Sequence, residues 1–88
     1  MSSYYRITGR ITDKYPRYTI NGKTVQVLEI KDTKTFDTFK IECDAEAAAG
    51  CNIGDDATLE GSLMGNADKP MNRILLTHAN TVVKHTAM

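Results

Sequence analysis

The sequence predicts a small all-β domain, five strands closed into a Greek-key barrel with one short helix. Three observations predict it. Five stretches show strand alternation or strand composition. One Asn-Gly pair sits between β-forming residues. A single alanine-rich segment interrupts the strands between the third and the fourth. The chain has 88 residues, 41% of them apolar, which suits one domain with one modest core. No repeat, low-complexity run or linker divides it, so residues 1–88 read as one domain with 1–3 and 85–88 frayed.

The first predicted strand is Tyr5 to Thr12. Tyr5, Ile7, Gly9 and Ile11 alternate with Arg6, Thr8, Arg10 and Thr12, the period of a half-buried strand. Gly9 interrupts the apolar side, as expected where a strand bends to close a barrel. Pro16 makes the segment 13–20 a loop or an edge. Asn21-Gly22 then predicts a tight hairpin, because a type I′ turn needs positive φ at both positions. The second strand is Thr24 to Lys31. Its apolar side switches between Val27 and Leu28, which predicts a bulge or a coil there. The third is Thr35 to Cys43, with Phe39, Ile41 and Cys43 inward and Phe36 on the outward phase.

Asp44 to Gly50 is the helix signal, with Asp44 as N-cap and Gly50 as a stop. At one or two turns it must cover something larger. The fourth strand is Ala57 to Met64, and 65–70 is a polar loop. The fifth is Arg73 to Ala79, with Val82-Val83 as an extension. A short helix between strands three and four of a five-stranded barrel is the layout of the oligonucleotide-binding fold.

Net charge is zero, but the charges are unevenly spread. Residues 1–40 hold eight bases and four acids, 41–68 hold seven acids and no base, and 69–88 hold three bases. Every aromatic residue lies in 1–40. The expectation is a basic, aromatic face with the carboxylates of Asp55, Asp56 and Glu60 behind it. No apolar run is long enough to span a membrane, and no secretory signal is visible, so a cytoplasmic protein is expected. Cys43 and Cys51 then read as reduced apolar fillers, since C-x7-C fits no common zinc module. No cofactor or metal is expected. There is no phosphate-binding glycine loop and no fixed nucleophile–base pair, so no enzyme is expected.

Tyr5-Arg6-Ile7-Thr8-Gly9-Arg10-Ile11 resembles the opening strand of bacterial single-stranded-DNA-binding proteins and their primosomal relatives. Ile53-Gly54-Asp55-Asp56-Ala57-Thr58-Leu59-Glu60-Gly61-Ser62-Leu63 is similar to their fourth strand, and Leu76-Thr77-His78-Ala79-Asn80-Thr81-Val82 to their last. The family's tryptophan stackers have no counterpart, since the chain has no Trp, and its acidic, glycine-rich tail has none either. The resemblance is closest to the compact binders of phages and plasmids. It implies sequence-independent binding of single-stranded DNA, in replication or recombination.

Such binding needs cations along the backbone path and flat rings for bases to stack on. Lys14-Tyr15-Pro16-Arg17-Tyr18 interleaves both in the loop that lines the groove of this fold. Arg6 and Arg10 share one face of the first strand, about 13 Å apart, and could follow phosphates or be solvated. Phe36, beside Lys34, is either a stacker or packed under a loop. Lys23, Lys40, Lys69 and Arg73 are further candidates for phosphate contact. Two other readings stay open: an RNA binder, and a protein-interaction module that offers its acidic half to a partner. A homodimer fits the first reading, since two grooves on one strand gain avidity.

Overall fold

The computed structural model describes residues 3–66 and 73–85, with side chains described for 3–63 and 78–85. The elements are β1 (Tyr4–Lys14), β2 (Tyr18–Ile20), β3 (Lys23–Asp32), β4 (Thr38–Asp44), α1 (Ala45–Ala48), β5 (Asp56–Asn66) and β6 (Arg73–His85). The strand order is β1-β5-β6-β4-β3-β2, and an added pairing of β1 with β3 closes the sheet. The result is the five-stranded oligonucleotide-binding barrel, with β2 as a short arm on β3. One edge of β3 is shared, residues 23–25 with β2 and 28–32 with β1. The arm is the hairpin the Asn-Gly pair predicts: Asn21 and Gly22 have φ of 51° and 79°.

The barrel is filled by alternate residues. Tyr5, Ile7 and Ile11 of β1, Leu28 and Ile30 of β3, Ile41 and Cys43 of β4, and Ala57 and Leu59 of β5 make one core. Phe39 packs against it half-buried. Ala48 and Cys51 close the same core from the helix side. The Lys14 ammonium donates to the carbonyls of Ala48 (2.9 Å) and Cys51 (2.8 Å). A cation on the last carbonyls satisfies groups the four-residue helix cannot pair itself.

Several expectations are corrected. β4 begins at Thr38 rather than Thr35, because Asp32 organises a tight loop after β3. Its carboxylate accepts the N–H groups of Lys34 and Thr35, and its carbonyl accepts that of Phe36. Phe36 therefore lies in this loop, not on a strand, with φ of 63°. The irregularity expected between Val27 and Leu28 falls instead in β1, between Ile11 and Asp13, while β3 and β4 pair without a break. Asp44 stands at the N-cap position but makes no side-chain cap bond. The irregularity expected at Asn80-Thr81 is present: the step from Glu60–Thr81 to Gly61–Ala79 leaves Asn80 of β6 without a register partner, and a second shift follows between Ala79 and Leu76. At the limits of the described residues, the Ser3 carbonyl accepts from Leu63 N–H, and His85 pairs with Asp56.

Gly9 is where β1 passes from β5 to β3, paired with Ala57 on one side and Asp32 on the other. A Cβ there would lie 1.8 Å from the Lys31 carbonyl oxygen. Backbone meets backbone, so no side chain can move aside. Gly9→Ala should lower stability by about 3 kcal/mol or more, beyond the usual range for overpacking. Gly50→Ala, where a Cβ meets nothing within 4 Å, should stay within about 0.5 kcal/mol of the parent. Urea unfolding of the two variants reads the contrast.

Candidate nucleic-acid interface

On the outward phase of β3 lie Val25, itself buried, then Val27, Glu29 and Lys31, opposite Asp44, Glu42, Lys40 and Thr38 of β4. This row spans about 20 Å at 3.3 Å per residue. The three candidate rings stand along it, each held by a polar partner in the row. Tyr18, 40% exposed on β2, donates its hydroxyl to the Glu42 carboxylate. Tyr15 is half-buried. Its N–H bonds the Val27 carbonyl, and the buried Gln26 amide donates to its own carbonyl at 2.7 Å. With its backbone fixed twice, the Tyr15 ring lies 5.3 Å from the Lys40 ammonium, and its hydroxyl reaches Glu29 at 3.5 Å. Phe36, 69% exposed, stands 5.7 Å from the Lys31 ammonium. A bulky residue with positive φ is a costly conformation, of order 1–2 kcal/mol, and it holds an apolar ring out in solvent.

Clefts mark both ends of the row. A cleft of about 520 Å³ at the hairpin end is lined by Arg17, Lys23, Thr24, Asp44, Ala45 and Glu46. At the other end Phe36 closes a cleft of about 230 Å³ with Arg10, Lys31, Asp32, Thr33 and Asp56. Around the same loop, Arg6 and Lys34 flank a third, of about 430 Å³, with Thr8, Asp32 and Thr33. Thr33 pins the loop there by bonding the Thr8 carbonyl through both its N–H and its hydroxyl.

The candidates thus divide. Tyr15, Tyr18, Arg17, Lys23, Lys40 and Phe36 share the β3–β4 side. Arg10 is the register partner of Lys31 and shares the Phe36 cleft, while Arg6 and Lys34 flank the neighbouring cleft. Lys14 is turned onto the helix carbonyls, which argues against a phosphate role. Lys69 lies outside the described residues, and Arg73 opens β6 with its side chain outside them.

The expected separation of charge does not hold. Register pairs Arg6 with Glu60 and Arg10 with Asp56, at 3.4 and 3.5 Å, so bases and acids of β1 and β5 share one outer face. Asp55 is tied to Lys84 and accepts the Asn52 N–H. Glu29 and Glu42 stand among the rings themselves. The segment 41–68 is acidic along the chain, but alternation and antiparallel pairing spread its carboxylates around the barrel. No acidic half exists among the described residues.

Four residues of the row escaped sequence reading: Lys31, Glu29, Glu42 and His78. Lys31 and Glu29 share the outward phase of Val25 and Val27, a signal present in the sequence. His78 comes from β6, beside the Cys43–Ala79 bridge between β4 and β6. Its Nδ1 lies 2.8 Å from Glu42 and its Nε2 3.1 Å from Asp44. The bonds from Tyr18 and then His78 hold the Glu42 carboxyl below its ordinary range. The bond to Glu42 raises the Tyr18 phenol in turn. Burial pushes the Cys43 thiol up to about 11 and raises Cys51 too, which leaves both protonated and unreactive.

No protein-family model and no curated protein matches this chain. Solved structures do. A small single-stranded DNA-binding protein from Streptomyces coelicolor superposes with a TM-score of 0.69 at 10% identity, covering 97% of this chain and 95% of that one. The N-terminal domain of PriB protein from Thermoanaerobacter tencongensis, solved as a dimer, gives 0.64 at 18% identity, covering 97% and 98%. Likeness over nearly the whole length at such low identity establishes the shared fold.

Glu42 yields a pH prediction. A carboxyl lowered in the folded state adds stability above its unfolded value and loses it as pH falls through the lower folded value. The stability advantage of the parent over Glu42→Gln should therefore be full above about pH 5 and shrink on acidification through and below pH 4. Thermal melts at successive pH values measure it.

Proposed function

We propose that this chain binds single-stranded DNA along the outer face of β3 and β4, without catalysis and largely without regard to sequence. One observation carries the reading: Tyr18, Tyr15 and Phe36 stand along a single outward row, interleaved with Lys40 and Lys31 and flanked by Arg17 and Lys23. Rings alternating with cations are what a sequence-tolerant single-strand path requires. The strained φ of Phe36 supports it, since a solvent-facing ring in a disfavoured conformation has no packing role to justify it. The names of the fold neighbours point the same way.

Arg6, Arg10 and Lys34 extend the path around the β3–β4 loop. The pairs Arg6–Glu60 and Arg10–Asp56 are solvent-exposed, and such pairs contribute only about 0–1 kcal/mol. A phosphate can draw either arginine away from its carboxylate. Lys69 and Arg73 join the proposal from sequence alone. A role in replication or recombination, in a phage, plasmid or host, belongs to the same reading. So does self-association. The acidic-partner reading loses its basis with the acidic half.

The test is titration of a labelled oligo-dT at two salt concentrations, beside duplex DNA and a matched RNA. Single-stranded DNA should bind best, with log affinity falling linearly against log salt, by about 0.7 for each phosphate neutralised. Tyr18→Ala and Phe36→Gly should each weaken binding by about 1–3 kcal/mol. Phe36→Gly should do so without lowering the melting temperature, because glycine accepts the positive φ. Unchanged affinity in both variants at low salt would rule the path out, and preference for the RNA would reassign the ligand.

A further inference from the structure

The histidine between Glu42 and Asp44 has chemistry that the proposed path does not yet use. A carboxylate only accepts hydrogen bonds, and a neutral imidazole donates just one. Both ring nitrogens of His78 sit within hydrogen-bonding distance of a carboxylate oxygen, 2.8 Å to Glu42 and 3.1 Å to Asp44. The arrangement is complete only with a proton on each nitrogen. We propose that His78, bridging Glu42 and Asp44, is a proton-gated part of the single-stranded-DNA path.

The inference rests on the reading of the β3–β4 face as that path. His78 stands toward its hairpin end, on the β6 side of β4. Glu42 also anchors Tyr18, and Asp44 lines the cleft that holds Arg17 and Lys23. Protonated, His78 offsets one of two carboxylates that lie where phosphates would pass. Deprotonated, it leaves Glu42 and Asp44 uncompensated, and Asp44 is left to weaken the pull of Arg17 and Lys23. Histidine is the side chain whose charge changes between about pH 5 and 8.

The surroundings among the described residues are consistent with this role. From β4 come Glu42 and Asp44, and from β2 comes Tyr18 through Glu42. From α1, Glu46 lines the Asp44 cleft opposite Arg17 and Lys23. The register places uncharged Ser62 of β5 at this level, between Gly61–Ala79 and Leu63–Leu76. The other histidine, His85, bonds Thr58 on the β5 side and serves as the control.

The experiment is an oligo-dT titration from pH 5.5 to 8.5 at constant ionic strength. Parent affinity should fall roughly two- to thirtyfold with rising pH, the range for one charge about 8 Å from a phosphate between the water and protein-surface limits. His78→Gln should flatten the profile near the parent's weak, high-pH value. His78→Lys should flatten it near the tight, low-pH value, a gain that misfolding cannot produce. His85→Gln should keep the parent slope. A parent slope that survives in both His78 variants overturns the proton gate and leaves the DNA path standing. No parent binding at pH 5.5 and low salt overturns both.

Discussion

The close passage of β1 against the Lys31 carbonyl at Gly9 is the constraint on which the rest of the molecule depends. At Gly9 and Arg10 one strand pairs with β5 on one side and with β3 on the other. That double pairing turns a sheet into a barrel and gives it a single filled interior. Closure also forces the outward side chains of β3 and β4 to diverge from a curved wall. The arm β2 and the segment before it then lean over that wall, fixed by Gln26 and the Val27 carbonyl. Without the crossing, Tyr15 and Tyr18 would have no common surface with Lys40 and Lys31.

A protein with equal numbers of acids and bases can still present a path for a polyanion. What matters is which charges are tied up and how firmly. Lys84 is bound to Asp55, and Lys14 to the helix carbonyls. Lys40 and Lys31 instead lie over rings, with ammonium groups still facing water. Two carboxylates in the row also orient rings. Glu42 holds a phenol, and Glu29 accepts from the Thr12 hydroxyl as well as from Tyr15.

The fold was readable because its main signals are local. Alternation in Tyr5–Ile11 and Ala57–Leu63 reports burial directly, and Asn21-Gly22 specifies its turn by φ alone. Gly9 was visible as a break in an apolar face. The β3–β4 loop was misplaced because an aspartate side chain bonding backbone groups two and three residues on competes with strand extension, and composition does not reveal that contest. The site was readable in its rings and several of its cations. Its charge layout was not. Whether Arg6 meets Glu60 or solvent depends on register between strands about fifty residues apart. His78 came from the far end of the chain, and only the strand order brings it to Glu42.

That strand order has a mechanical consequence. Among the described residues β4 and β6 meet through one parallel bridge, Cys43 with Ala79, while every other barrel junction is a ladder of several pairs. The barrel has a seam, and the imidazole with its two carboxylates lies across it like a clasp. Thermal breathing will open the cylinder along this line first. Within the barrel's ladders, backbone amides beside it will trade hydrogen for deuterium before those buried under the crossing at Gly9.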